Sequence, residues 1–457
     1  PSPSAALVIG QRINGGSVLA NQLVRIISGD HAAQLFGRGS TAAAMVAAFR
    51  RADPITELWA IAANDGTGSV AAARTITVTG PATAAGTIAL MIAGQAIRIA
   101  VAAGDTAASI AAAINAAING VADLPVRSTV ADAVVTATAR NRGPVGTDID
   151  YRHSYYEGER LPAGVDLSFV QSVPGSGDPD IAAVLAAIGD RRFSTICLGF
   201  TSAAVLTAIE TELTSRWGPL RVLEGMVYAS IRDTVGGLAS FGSARNSQYV
   251  SLLGARLVPN PAWEWAAVYG AVVGFNASID PARPFQTLEL PGLLPPPDPA
   301  RFTRNEREQL LRDGISTFVV DPGGKVLIDR AITTYQVNAF GIDDIAYLDV
   351  NTPLTLGYLR LAVRSRIASK FPRHKLASDD ARFGAGQAIV TPRIIRAELV
   401  ALFRELEDAG LVEGLDQFMA DLIVERDGTD PNRVNALIPP DIVNQFRVFA
   451  GRVEFRL

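Results

Sequence analysis

The chain predicts an α/β fold carrying a small α+β insertion and a separate C-terminal α+β region, and three observations lead to it. From Asp180 onward apolar strands alternate with amphipathic helices, the pattern of a largely parallel sheet covered on both faces. Between about residues 73 and 146 the composition turns to Ala, Thr and Gly and hairpins replace the alternation. The proline-rich stretch Pro291 to Pro299 then interrupts the chain before its last third. At 457 residues the chain exceeds one ordinary core. The expected division is 1–72 as the first part of the α/β body, 73–146 as an insertion projecting outward, 147–290 as the rest of the body, and 300–457 as a C-terminal domain.

Taken in order, Ala6 to Gly10 reads as a buried strand and Val24 to Ile27 as a second. Helices through Asp30 to Phe36 and Thr41 to Arg51 lead to a strand at Glu57 to Ala62, which Asp65-Gly66-Thr67-Gly68 breaks. In the insertion, Thr87–Ile92 and Ala96–Val101 form a hairpin across Ala93-Gly94. Asp105 or Thr106 caps the alanine-rich helix that runs to about Asn119. Val126–Val130 and Ala133–Thr138 form a second hairpin around Asp132. The body resumes with a helix over Ile181–Gly189, its apolar residues at helical spacing, and an apolar strand over Phe193–Phe200. Helices near 202–216 and 233–243 alternate with strands at Val222–Ile231 and Tyr249–Leu253, and Pro261 opens a helix containing Trp263. Beyond the proline-rich stretch, Ser316–Val320 pairs with Val326–Arg330 across Pro322-Gly323-Gly324. Pro353 opens a helix to Lys370 that Pro372 stops, and another runs from Pro392 to Asp408 and ends at Gly410.

Composition narrows the function. Net charge is −4, too small for a dominant nucleic-acid footprint. Cys197 is the single cysteine, set in an apolar run, so an intramolecular disulfide is impossible and a buried thiol is expected. The most apolar window, Trp263 to Ile279, holds Glu264, Asn276 and Ser278 and falls short of the about 20 apolar residues of a membrane span. No signal-peptide pattern follows Pro1, and the missing Met suggests that a natural start precedes it. Chemistry finds little support. The three histidines, His31, His153 and His374, have no Gly-x-Ser-x-Gly elbow to serve, and Ser243 is the nearest approach to a nucleophile. Gly37-Arg38-Gly39-Ser40-Thr41-Ala42 imitates a dinucleotide loop but follows a helix and has no phosphate-binding Lys. Metal-site spacings are missing, and the clustered Asp343, Asp344 and Asp349 read as a solvated loop. No catalytic, cofactor or metal site is expected.

Two constellations suit assembly instead. From Phe446 the chain alternates apolar residues at Phe446 and Val448, then at Val453, Phe455 and Leu457, with a phase shift at Gly451. A terminal strand has no following partner, so it joins a sheet of its own subunit or of a neighbour. The second is the basic stretch Arg360, Arg364, Arg366, Lys370, Arg373 and Lys375, with no acidic residue between Asp349 and Asp379. Arg360 and Arg364 are i,i+4 neighbours, mildly unfavourable unless something acidic faces them.

The stretch from Gly314 to Leu376, with its hairpin, acidic loop and basic helix ending at Phe371-Pro372-Arg373-His374-Lys375, resembles the C-terminal core of contractile-phage tail sheath proteins of the Mu-like group. The resemblance continues through Ile389 to Leu399, Asp421 to Arg426 and Asn444 to Phe449, and Trp263-Glu264-Trp265 adds to it. It implies a subtilisin-like α/β domain without the protease chemistry, since fold does not confer function. It further implies stacked six-subunit rings around a tail tube, baseplate and tail terminator proteins at the ends, and contraction that drives the tube through the host envelope. Nucleic acid and membrane are not direct partners. The expected place is the virion tail, assembled in the host cytoplasm. Under that resemblance Phe446, Val448, Val453, Phe455 and Leu457 exchange a strand with a neighbour. Arg360, Arg364, Lys370, Arg373, Lys375, Arg393 and Arg404 then face the tube or the next subunit. The sheath of a phage-tail-like bacteriocin and, in another class, an α/β hydrolase are the alternatives.

Overall fold

Strands that are apolar nearly throughout must be covered on both faces, and the chain covers them by following most with a helix. The computed structural model describes residues 5–384 and 386–454. They divide into two units, 5–276 with 285–350 and 277–284 with 351–454.

The larger unit begins with β1 (Ala5–Gln11), β2 (Val24–Ile26), α1 (Gly29–Phe36), α2 (Thr41–Ala52) and β3 (Glu57–Ala63). The insertion comprises β4 (Ala73–Thr79), β5 (Gly86–Ile92), β6 (Gln95–Val101), α3 (Ala107–Gly120), β7 (Val126–Ala131), β8 (Val134–Ala139), β9 (Tyr151–His153) and β10 (Asp166–Val173). The body resumes with α4 (Ile181–Ile188), β11 (Thr195–Leu198), α5 (Ala203–Trp217), β12 (Met226–Arg232), α6 (Val235–Ser243), β13 (Val250–Ala255) and α7 (Ala262–Ile279). Helix α8 (Arg304–Arg312) and the hairpin β14 (Thr317–Val320) and β15 (Val326–Arg330) complete it.

Six strands lie in the order β13-β12-β11-β1-β3-β2, all parallel except β2, which runs antiparallel to β3. Four helices of the body begin where a side chain satisfies free N–H groups: Ser40 Oγ accepts from Ala43, Asp180 from Ala182 and Ala183, Ser202 from Val205 and Thr234 from Gly237. Helix α7 is buried from Ala262 to Val273 apart from the half-buried Glu264, as a helix apolar on nearly every face must be. It approaches the sheet through Gly270 and Gly274, where an added Cβ would stand 2.5 Å from Cys197 Sγ and 2.3 Å from Thr195 Oγ1. Cys197 is fully buried there, and burial pushes its thiol pKa up.

The insertion extends beyond the expected 146. Strand β10 pairs with β4 in an antiparallel sheet ordered β10-β4-β8-β7, and β9 joins β5 and β6 in a second. Helix α3 packs on β4, β6, β7 and β8. The proline-rich stretch is no boundary. Leu290 and Leu293 are buried, Leu290 N–H donates to Val326 O, and Tyr155 Oη donates to Pro295 O at 2.8 Å. The division falls between Val350 and Asn351, so the hairpin β14–β15, expected in the C-terminal domain, belongs to the larger unit. Its approach segment continues the main sheet through a parallel bridge between Ser316 and Leu253.

The smaller unit consists of α9 (Asn351–Lys370), β16 (Lys375–Leu376), β17 (Ile389–Val390), α10 (Pro392–Asp408), β18 (Val412–Glu413), α11 (Leu415–Asp421), β19 (Ile423–Arg426), β20 (Val434–Leu437) and β21 (Asp441–Ile442). Its core joins Leu359 of α9 to Leu399, Leu402, Phe403 and Leu406 of α10 and Phe418 of α11. The rings of Phe403 and Phe418 stack at 3.9 Å.

Candidate functional site: assembly surfaces of the smaller unit

The basic helix face has an acidic counterpart within its own chain. Glu398 and Glu405 lie seven residues apart on α10, hence on one face. Arg366 pairs with both, at 2.8 Å to Glu398, and Lys370 Nζ stands 3.1 Å from Glu398. Burial raises the Glu398 pKa and the two cations lower it further, so the carboxyl stays below its ordinary range. Lys370, expected to face the tube or a neighbour, is therefore engaged with α10. Half-buried at Arg366 and Glu398 and exposed at Lys370 and Glu405, these ion pairs link α9 to α10, the exposed ones contributing little stability singly. Arg373, Arg393 and Arg404 are exposed, and Lys375 Nζ donates to Gln387 Oε1 at 3.2 Å. Arg364 is exposed and Arg360 half-buried on α9.

Strands β19 and β20 form a hairpin in the register Ile423↔Leu437 through Arg426↔Val434. Asp427 closes its turn. One carboxylate oxygen accepts from Thr429 N, Asp430 N and Thr429 Oγ1, the other from Asn435 Nδ2 at 2.8 Å. Those bonds hold its pKa well below the usual carboxylate range. Val424 packs against the core while Ile423 and Leu437, directly opposite each other, are 51% and 60% exposed. Among the described residues the sheet stays two-stranded, so its lateral backbone groups await a partner.

The segment from Phe446 makes no strand among the described residues. Phe446, Val448, Phe449 and Val453 are 73%, 79%, 83% and 95% exposed. Arg447 Nη2 donates to Asn351 Oδ1 at 3.3 Å. Of the two options open to this terminal strand, its own sheet is not taken up by residues 446–454; Phe455 and Leu457 lie outside the described residues. A lone strand with both edges solvated has nothing to hold it extended.

The Ser243 hydroxyl donates to Asp313 Oδ1 at 2.9 Å, and among the described residues neither bears a histidine contact. Among the described residues no three of His, Cys, Asp and Glu converge as metal ligands.

Two family models match the chain: the phage tail sheath protein central domain over residues 175–334 and the phage tail sheath C-terminal domain over residues 343–456. The Mu-like prophage FluMu tail sheath protein of Haemophilus influenzae is 43% identical over 451 residues, covering 99% of this chain and 92% of that protein. This chain belongs to the phage tail sheath family. Solved sheath structures share the fold at low identity. A sheath tail protein of Listeria innocua superposes with TM-score 0.52 at 13% identity over 97% of this chain and 92% of that one. A chain of the anti-feeding prophage baseplate, six-fold symmetrised, gives 0.51 at 10% over 100% and 94%. The central match begins just past β10, where the insertion ends.

As a tail sheath subunit the chain has a structural role, and sequence reasoning overlooked one part of it. The block Asp421 to Arg426 stood out only as resembling other sheaths, and the connection 427–433 is too long to give the two-residue Asp-Gly turn signal that would have marked the hairpin.

Proposed function

We propose that this chain polymerises as stacked six-subunit rings around a tail tube and that the array contracts to drive the tube through a host envelope. The observation that carries the reading is a complementary pair within one chain: the exposed apolar segment from Phe446 and the two-stranded hairpin β19–β20 with Ile423 and Leu437 uncovered. An extended segment of one copy adds to the hairpin of another, main-chain hydrogen bonds supplying affinity and alternate side chains supplying register. Phe446, Val448, Val453, Phe455 and Leu457 are the exchanging residues. Such links tether neighbours while the bodies rotate between two packings, and contraction then draws on interface rearrangement without nucleotide. The six-fold symmetry of the anti-feeding prophage baseplate supports the ring number.

In this reading the larger unit follows a subtilisin-like chain path as a rigid body without catalysis. Arg360, Arg364, Lys370 with its exposed half, Arg373, Lys375, Arg393 and Arg404 meet the tube or the adjacent subunit, and baseplate and terminator proteins close the ends. Removal of residues 446–457 tests it. The full chain, mixed with its tube protein, should form striated tubes under negative stain, and the shortened chain should remain folded and unpolymerised. Tubes of ordinary length from the shortened chain would remove the strand-exchange mechanism.

A further inference from the structure

Residues 335–345 form a braced projection whose tip is apolar and acidic. Asn338 N donates to Ile342 O and Asp344 N to Gln336 O, both at 2.9 Å, and Gly341 takes the turn at φ +74°. Asn338 Oδ1 accepts from the amides of Phe340 and Ile342. Asn246 anchors the base, its Oδ1 accepting from Gln336 N and Val337 N and its Nδ2 donating to Val337 O. Tyr335 Oη donates to Asp344 at 2.6 Å. On this rigid base Phe340, Ile342 and Ile345 are 88%, 63% and 80% exposed, and Asp343 is exposed between them. Three large apolar side chains on one ordered tip are a contact surface, whereas a merely solvated loop needs none. From Ala331 to Leu359 the chain contains no Lys or Arg.

A recess of about 580 Å³ on the larger unit has the opposite character. Arg12, Arg127, Arg140 and Arg142 line it together with Ile13, and Asp65 is its only carboxylate. Asp65 is occupied by Gln11 Nε2 at 2.9 Å and Asn141 Nδ2 at 3.2 Å. Arg12 uses Asn64 Oδ1 and Gly16 O, Arg140 uses three backbone carbonyls, and Arg127 and Arg142 use one each. Among the described residues none of the four joins an ion pair, and Arg12 Nε is buried without a partner. Four guanidiniums against one carboxylate call for an anion and an aromatic face. The tip presents both, and none of its residues lines the recess of its own chain.

We propose that the 335–345 tip of one copy docks in the arginine recess of a second copy, Asp343 pairing with Arg142 or Arg127 and Phe340 stacking on a guanidinium. This deepens the assembly reading and rests on it, because it supplies a contact between bodies that strand exchange does not.

The full chain and its tube protein serve for the test. Asp343→Arg and Arg142→Asp, each alone, should raise the protein concentration needed for tube formation about tenfold, and the double reversal should restore it. Asp343→Cys combined with Arg142→Cys should give a ladder of linked subunits when tubes are oxidised, the buried Cys197 taking no part. Single reversals that polymerise like the parent, or a double reversal as defective as the singles, overturn the contact and leave strand exchange standing. A parent chain that forms no tubes at all overturns both readings.

Discussion

At the scale of single residues, the sharpest constraint is the contact between α7 and the sheet. Alanine at Gly270 gains about 1 kcal/mol of helix propensity, but its Cβ would meet Cys197 Sγ at 2.5 Å and Tyr228 Cβ at 3.2 Å. Overpacking of that kind costs about 1–3 kcal/mol, so Gly270→Ala should lower the urea midpoint. Gly236 in α6 has no atom within 4 Å of its would-be Cβ, and Gly236→Ala should be neutral or raise the midpoint. Asp148 sets a pH dependence. Burial raises its pKa to about 6, against the pull of Arg232. Its ordinary value is 3.8, so between about pH 4 and 6 the unfolded chain releases this proton while the folded chain keeps it. Stability from this group is present below pH 4 and lost as pH rises to 6. Asp148→Asn should therefore flatten the stability profile across that window and raise stability at pH 7, by on the order of 1–3 kcal/mol.

At the scale of elements, the turn of β19–β20 is the part most dependent on one side chain. Asp427→Ala removes four accepted hydrogen bonds, and amide exchange over Ile423–Leu437 should accelerate several-fold, with tube formation weakened in parallel. Its lowered pKa means that the turn keeps its hold above the ordinary carboxylate range and loses it only as pH falls through that depressed value. Unchanged exchange in the variant would place the hairpin's order elsewhere. Elements whose cause is local were legible in the sequence. The cap at Thr106 and the turns at Gly94 and Asp132 carry their signals within a few residues. Strand β10 was not legible: alternately exposed along Asp166–Val173, it owes its extended form to pairing with β4, over 80 residues earlier. The division at Val350 was missed for a similar reason. Proline composition marks stiffness, but whether such a stretch links or packs is decided by Leu290 and Leu293, which find partners far along the chain. At the assembly surfaces the exposed tail was visible as an alternation, whereas the engagement of Lys370 by Glu398 needed the packing of α9 on α10.

At the scale of the whole molecule, the insertion offers a way to test the two proposed contacts between copies separately. Val70 and Ser176 form an antiparallel bridge, so the chain leaves and re-enters the body at neighbouring points. Beyond them the insertion buries its own apolar residues, among them Ile76, Ile88, Ile97, Ile114, Val126 and Val135. It meets the body largely through polar contacts, such as Thr41 N to Asn141 Oδ1 at 2.9 Å, Gln11 Nε2 to Arg142 O at 2.8 Å and Arg38 to Asp123 at 3.0 Å. Water can replace those bonds at modest net cost. Replacing residues 71–175 by a short Gly-Ser link should therefore leave a cooperatively folding chain that keeps β19–β20 and the segment from Phe446. Its tubes should form, because the exchange elements lie outside the excised part. Those tubes lack Arg127, Arg140 and Arg142 and should form only at higher protein concentration. Adding Asp343→Arg to the excised chain should cause no further loss, since its partner surface is already gone. A further loss of the size seen in the full-length chain would mean that the tip docks elsewhere, and the two contacts would have to be assigned anew.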